Sequence, residues 1–401
     1  MTFVQKWQQT GIRNRFIFYV FDKVIFEKNK YFNQHSVLGK AARTMLLQWE
    51  SEDPKVRALW QQMNQWVYDG FETTYRNLGV TFDKLYYESN TYLLGKETIE
   101  KGLAQNVFYQ KDDQSVWIDL TAAKLDHKIV LRSDGTSVYI TQDIGTAQLR
   151  YNDFGTNRMV YVVADEQNYH FQVLFETMKR LGEPYADGLY HLSYGMVDLP
   201  TGKMKSREGT VVDADDLMAE VINEARKNAE ERGEIIELTP AAREAIIQKI
   251  GMAALKFFII KVQPKKRMIF DPKESVDMQG QTGPYVQNAY VRIQSILRKA
   301  GELSEQITDY TKLQAAEKEM INKLYAYPNS IAIAAQNYDP SEIANYCYDL
   351  AKSFHKFYHD FSILRAENEG AKQFRLLLSK ATANVLSSGM KLLGIEMPDR
   401  M

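Results

Sequence analysis

Between Gly202 and Gly209 the chain reads Lys203-Met204-Lys205-Ser206-Arg207-Glu208. Cationic heads on a segment bracketed by flexible glycines suit a polyphosphate, whose charge must be compensated as a leaving group departs. The same residues would also serve as a basic surface turn. A second cationic run, Lys256, Lys261, Lys265, Lys266 and Arg267, fits a solvated helix end or a phosphate site. Asp143, taken alone, fits a helix cap. His170 and His191 each stand near a β-rich run, where a histidine is either a satisfied core residue or part of a site. His35, His127, His355 and His359 form no metal-ligand pattern. Cys347, the single cysteine, allows neither an internal disulfide nor a cysteine-based zinc site, so no metal centre is expected and a reducing compartment is.

These residues need elements to hold them. Residues 1–81 read as helical: Asp53 caps, Pro54 opens, and Leu59, Met63, Trp66, Val67, Phe71, Tyr75 and Leu78 recur at helical spacing, which predicts a buried face. Residues 82–212 alternate β-rich runs with helices, as an α/β domain with a largely parallel sheet does. The runs are Leu85-Tyr86-Tyr87, Val107-Phe108-Tyr109, Val116-Trp117-Ile118, Ile129-Val130-Leu131, Val138-Tyr139-Ile140, Met159 to Val163 and Leu189 to Leu192. Asp134-Gly135 signals a hairpin, and the runs flanking Asp112-Asp113 an added antiparallel one. Helices are expected over Thr146–Tyr151 and Tyr169–Leu181. Beyond Asp213 the pattern is helical, with a stem over 213–275 and a bundle over 276–401.

Five segments together resemble arginyl-tRNA synthetases, members of class I. Tyr194-Gly195-Met196-Val197, a Pro200-Thr201-Gly202 turn and Lys203-Met204 through Arg207 are similar to that class's signature loop; Lys205 stands where Ser is common and Ser206 where the second Lys would stand. Val130-Leu131-Arg132-Ser133-Asp134-Gly135-Thr136 through Gly145 is similar to the segment after the family's connective insertion. Tyr161 to Phe171 resembles the next strand-to-helix junction. Phe270-Asp271-Pro272 with Gly280-Gln281-Thr282-Gly283-Pro284-Tyr285 resembles the approach to its anticodon-binding domain, and Leu393 to Met401 resembles its usual ending.

The resemblance implies the carboxyl half of a Rossmann-like nucleotide-binding sheet followed by a helical anticodon-binding bundle. It implies arginine contacts at Tyr139, Asp143, Gln167 and His170. ATP contacts fall on His191, Gly195, Met196, Val197, Lys203, Met204, Lys205 and Ser206, with Lys203 and Arg207 steadying the triphosphate and Mg²⁺ accompanying ATP. A carboxylate offers the planar, bidentate partner that a guanidinium prefers. With Tyr139 toward the end of a strand, Asp143 just beyond it and Gln167 past another, the three would share the edge where ligands collect in open α/β sheets. The RNA face is expected at Tyr285, Gln287, Arg292, Lys265, Lys266, Arg267 and Met401, aromatics stacking on unpaired bases and cations meeting phosphates. Tyr290, with Ile293, also fits a buried stripe.

Composition sets limits on this reading. The 401 residues carry 50 Lys and Arg against 51 Asp and Glu, so general nucleic-acid binding by overall charge is excluded. Residues 240–401 nevertheless lean basic, with 22 against 17. A 45% hydrophobic fraction excludes a disordered chain, and no apolar run reaches membrane-helix length, so a cytoplasmic protein is expected; the resemblance implies a monomer at full length. None of the six histidines begins a His-x-Gly-His motif. That motif is expected upstream, with the chain a carboxyl-terminal portion starting inside the connective insertion. The alternative is a shortened, non-catalytic tRNA-binding or regulatory protein, in which an arginine pocket would have no use.

Overall fold

The computed structural model describes residues 36–91, 94–200, 213–232, 238–303, 307, 310 and 312–401. It divides into two compact units, Met1–Gly79 and Val80–Met401. In the first, α1 (Val37–Glu50) is followed by α2 (Pro54–Leu78). The expected cap is present: the Asp53 carboxylate accepts from the Lys55 and Val56 amides, and Gly79 closes α2 in the left-handed region. The expected burial is not. Met63, Trp66 and Phe71 are 53%, 57% and 53% exposed, and no described residue of α2 is buried. Helical spacing marks a face able to be covered; it does not supply the cover. At the junction of α1 and α2 the Trp49 and Trp60 rings meet edge-on at 5.5 Å, with the Arg57 guanidinium 3.8 Å over Trp49.

In the second unit α3 (Lys96–Ala104) leads into an antiparallel meander of β1 (Tyr109–Gln110), β2 (Val116–Ile118) and β3 (Lys128–Leu131). The hairpin expected around Asp112-Asp113 is β1–β2, its turn tied by Asp113 accepting from the Ser115 amide at 3.0 Å. Two expected strands are absent. Leu85-Tyr86-Tyr87 is irregular, and the Tyr86 hydroxyl reaches Asp153 at 2.6 Å rather than a ladder partner. Val138-Tyr139-Ile140 forms no ladder: the residue before it, Ser137, bridges Leu131, and α4 (Tyr139–Phe154) begins two residues later. Burying Ile140 and Ile144, together with a Thr141 hydroxyl that bonds the Val130 carbonyl, overrides the strand preference of Val-Tyr-Ile.

The parallel part is built from β4 (Met159–Ala164), the crossover helix α5 (Asn168–Arg180) and β5 (Leu189–Tyr194), in register from Met159 opposite Leu189 to Ala164 opposite Tyr194. A second parallel pair, β6 (Val197–Asp198) with β7 (Met268–Ile269), joins the strand region to the helical part. The core beneath is Ile118, Leu120, Val130, Ile144, Leu174 and Met178, all essentially without solvent contact.

The stem consists of α6 (Ala214–Arg232) and α7 (Pro240–Ile260). Thr239 caps α7 with Pro240 in its first turn, and α7 is apolar nearly all round, as a helix packed on several sides must be. The bundle is α8 (Gly283–Ala300), α9 (Ala315–Asn337), α10 (Ser341–Asp360) and α11 (Glu369–Leu392) around Val286, Ile293, Cys347, Leu350, Phe354 and Leu386. At the closest α10–α11 approach only glycine fits, because a Cβ on Gly389 would lie 2.4 Å from the Cys347 sulfur.

Candidate active site at the strand ends

Asp143 sits one turn inside α4, so it is not the helix cap; Val138 holds that place. Tyr139 lies four residues earlier, on the same helical face, and is 77% exposed. The Asp143 carboxylate receives the His170 Nε2–H at 2.6 Å, a bond between two helices whose sequence separation is 27 residues. The aspartate side chain remains 43% exposed, so one oxygen is oriented by His170 and the other stays open to a ligand. Gln167 caps α5 three residues before His170 and is exposed. The sequence expectation had put Tyr139 on a strand; the structure puts both Tyr139 and Asp143 on α4, which presents them from a single helical turn.

His191 on β5 donates from Nε2 to the Val163 carbonyl at 2.9 Å, which leaves Nδ1 as an acceptor. Its ring lies 4.2 Å from that of Phe171, the neighbour of His170. Gly195 follows β5, its amide donating to the Pro264 carbonyl at 2.7 Å, and a Cβ there would meet the Lys266 carbonyl at 2.5 Å. The 264–267 turn is therefore pressed against the strand end. Lys265 faces a concavity of about 400 Å³ shared with Asp165, Asn168, His191 and Ser193, and the Arg267 Nε lies 3.9 Å from Asp165. Met196 and Val197 are half-buried beside this turn. Sequence reasoning missed Phe171 as the ring beneath His191 and Asp165 as an acceptor with one buried, unpartnered oxygen; the adjacency of Phe171 to His170 was the available signal. Lys203, Met204, Lys205, Ser206 and Arg207 lie outside the described residues. Among the described residues no group of three His, Cys, Asp or Glu side chains is placed to hold a metal ion, and none of the described helices is long and apolar enough to cross a membrane.

In the bundle one expectation requires correction. Gln287 is fully buried, with its Nε2 donating to the carbonyls of Lys249 at 3.2 Å and Glu396 at 2.8 Å, so it ties α7 to the carboxyl-terminal tail and has no free face for RNA. Tyr285 is half-buried against Tyr348 and His355. Tyr290 packs partly into the core, as the stripe reading had it. Arg292 is half-buried, donating to His355 Nδ1 at 3.2 Å with its guanidinium 5.1 Å over Tyr358. Met401 is half-buried at the end of a tail held by the Lys249–Glu396 ion pair at 3.0 Å and by Arg298 donating to the Asp399 carbonyl at 3.1 Å.

His355 carries a pH dependence. Burial, then the neighbouring Arg292 charge, push its pKa down from 6.5 to about 4. Between those values the unfolded chain binds a proton that the folded chain does not, so stability is full above pH 6.5 and declines as pH falls toward 4. The bundle's melting temperature should fall across that window, and His355→Gln should remove that component. An unchanged pH profile in the variant would show that His355 carries none of it.

The chain matches the family described as tRNA synthetases class I (R), catalytic domain, over residues 3–271, and the DALR anticodon binding domain over residues 286–401. It is 55% identical over 370 residues to the arginine–tRNA ligase of Bacteroides thetaiotaomicron, covering 91% of this chain and 62% of that relative. It is 56% identical over 361 residues to that of Flavobacterium psychrophilum, covering 90% and 60%. The chain thus spans about three fifths of the length of the curated relatives it matches. Its fold is similar to Thermus thermophilus arginyl-tRNA synthetase (TM-score 0.73, 22% identity, 96% of this chain and 73% of that one). It is also similar to the Plasmodium falciparum enzyme (TM-score 0.74, 19% identity, 96% and 67%). Mycobacterium tuberculosis methionyl-tRNA synthetase in complex with methionyl-adenylate is more distant, at a TM-score of 0.56 over 81% of this chain and 77% of that one.

Proposed function

The chain belongs to the arginyl-tRNA synthetase family of class I, and we propose that it supplies the arginine-selecting and tRNA-binding parts of an arginine–tRNA ligase. In that reaction the arginine carboxylate attacks the α-phosphate of ATP, pyrophosphate leaves, and the arginyl group passes to the terminal ribose of the tRNA. The observation that carries the reading is the Asp143–His170 bond at 2.6 Å. A partly exposed carboxylate held in orientation by a second side chain is what a guanidinium needs for bidentate capture. Tyr139 borders the arginine side chain, Gln167 adds an amide contact, and His170 acts on the substrate through Asp143. His191 and the Gly195-Met196-Val197 stretch border adenine. Lys203, Lys205 and Arg207, with Met204 and Ser206, compensate the triphosphate, which enters as its magnesium complex. The protein's contribution is positioning and charge stabilisation.

Arginine tRNA is the proposed RNA partner, gripped by the bundle through Tyr285 and Arg292, with the Met401 tail at its margin. The turn carrying Lys265, Lys266 and Arg267 abuts Gly195, which suits phosphates that approach the strand ends better than phosphates at the anticodon. A tRNA-binding protein without activity is the second reading, favoured by the absence of His-x-Gly-His from the sequence. The intact Tyr139, Asp143 and Gln167 set argues against it.

ATP–pyrophosphate exchange with arginine and arginine tRNA is the test. The 401-residue chain alone should give no measurable exchange, and the chain joined to the remaining two fifths of its relatives' length, bearing His-x-Gly-His, should give arginine-dependent exchange. Absence of exchange from the extended enzyme would overturn the catalytic reading.

A further inference from the structure

One aromatic contact joins the strand region to the far helices. Tyr190 on β5 stacks on Tyr338 with ring centroids 4.4 Å apart and planes 24° from parallel. Tyr338 is the residue that ends α9, and its φ of +52° puts it in the left-handed region. Helices that end this way usually place glycine there, because a side chain meets steric strain. A tyrosine at this position keeps that strain and gains a ring presented to β5. Its amide is fixed by the Ala334 and Ala335 carbonyls, so the ring's departure point is rigid.

The other partner leads toward the site. Tyr190 precedes His191, whose ring lies 4.2 Å from Phe171, and Phe171 follows His170, which holds Asp143 at 2.6 Å. Nothing in the catalytic chemistry requires Tyr190 or Tyr338 to touch substrate.

We propose that Tyr338 is a positioning residue: by stacking on Tyr190 it docks the helical bundle against β5 and thereby fixes His191 and the Asp143–His170 pair for arginine activation. The inference rests on the function proposed above. Spatial continuity alone does not demonstrate coupling, so the test is a double-mutant cycle. In the extended enzyme, Tyr338→Gly keeps the left-handed backbone and removes the ring, Tyr338→Phe keeps the ring, and Tyr190→Leu removes the stack from the sheet side. Exchange kcat should fall roughly three- to tenfold in Tyr338→Gly and in Tyr190→Leu, the equivalent of about 0.7–1.4 kcal/mol, within the range for an aromatic pair. The double variant should lose no more than either single one. Tyr338→Phe should stay within about twofold of the parent, and tRNA dissociation constants should be unchanged throughout.

Unchanged kcat in Tyr338→Gly, multiplicative losses in the double variant, no rescue by phenylalanine, or tRNA affinity falling in step with kcat would each overturn the proposal. Amide hydrogen exchange at Tyr190–Ser193 in the 401-residue chain gives a readout independent of activity. It should quicken in Tyr338→Gly and not in Tyr338→Phe. Should the extended enzyme lack exchange activity, the functional reading fails, and the hydrogen-exchange result still decides whether Tyr338 orders β5.

Discussion

Asp143→Asn in the extended enzyme should lower kcat/KM for arginine by about 100-fold or more. The substitution keeps the shape and one acceptor oxygen, and removes the negative charge that a guanidinium meets. Charge-assisted hydrogen bonds are roughly twice as strong as neutral ones, and a bidentate pair loses both its charge and its second acceptor. Removing one member of a desolvated, hydrogen-bonded charge pair costs about 2–5 kcal/mol. Asp143 is 43% exposed before substrate arrives, which puts the effect in the lower half of that range, about 3 kcal/mol. The loss should appear in arginine KM and in discrimination against other amino acids, with the KM for ATP unchanged. His170→Phe should give a smaller loss, about tenfold, since it frees the carboxylate to rotate without removing its charge. Steady-state exchange at varied arginine settles both, and an unchanged kcat/KM in Asp143→Asn would remove that residue from the arginine site.

The parts of this architecture that were legible in the sequence are those governed by neighbours in the chain. The Asp53-Pro54 cap, the hairpin at Asp112-Asp113 and the β4–α5–β5 crossover all depend on residues a few positions apart. What failed depended on distant partners. Val138-Tyr139-Ile140 has the composition of a strand, but Ile140 and Ile144 are buried in a core assembled from Ile118, Val130 and Leu174, and a helix brings the two within one turn of each other on the face that meets it. The α2 stripe has the spacing of a buried face and is exposed, since periodicity carries no information about what packs on it. Gln287 is expected on the RNA face because the resemblance places that segment at the approach to the anticodon-binding domain. Its partner Glu396 lies 109 residues away in the tail, a contact no local pattern announces. In the candidate site the residue types were legible and the Asp143–His170 bond was not, because it depends on how α4 and α5 cross.

The largest stability effect should come from a group with no part in the chemistry. Arg375 on α11 is 2% exposed and lies against Glu317, which has no exposure at all. Its Nε donates to Glu317 Oε1 at 2.8 Å, one terminal nitrogen to Glu367 at 2.8 Å and the other to the Ser362 carbonyl at 3.2 Å. Glu317 also receives the Gln314 amide at 2.8 Å and the Tyr310 hydroxyl, whose pKa burial and this bond push up to about 12. Every polar group in the cluster has a partner, and that is the only arrangement in which two buried charges are tolerable. Arg375→Met should therefore destabilise the bundle by about 3–5 kcal/mol, because it leaves the Glu317 charge buried without its counter-ion. Arg375→Lys should recover little, since an ammonium cannot span three acceptors in one plane. Replacing both partners, Arg375→Met with Glu317→Leu, should recover most of the loss, because a buried ion pair contributes little net stability over apolar residues of similar volume. Urea unfolding followed by helical circular dichroism reads these differences, with the single methionine variant's midpoint shifted down by roughly 1–2 M. A midpoint shift of less than a few tenths of a molar would mean that Glu317 finds other solvation when Arg375 is removed, and that the pair does not hold α9 to α11.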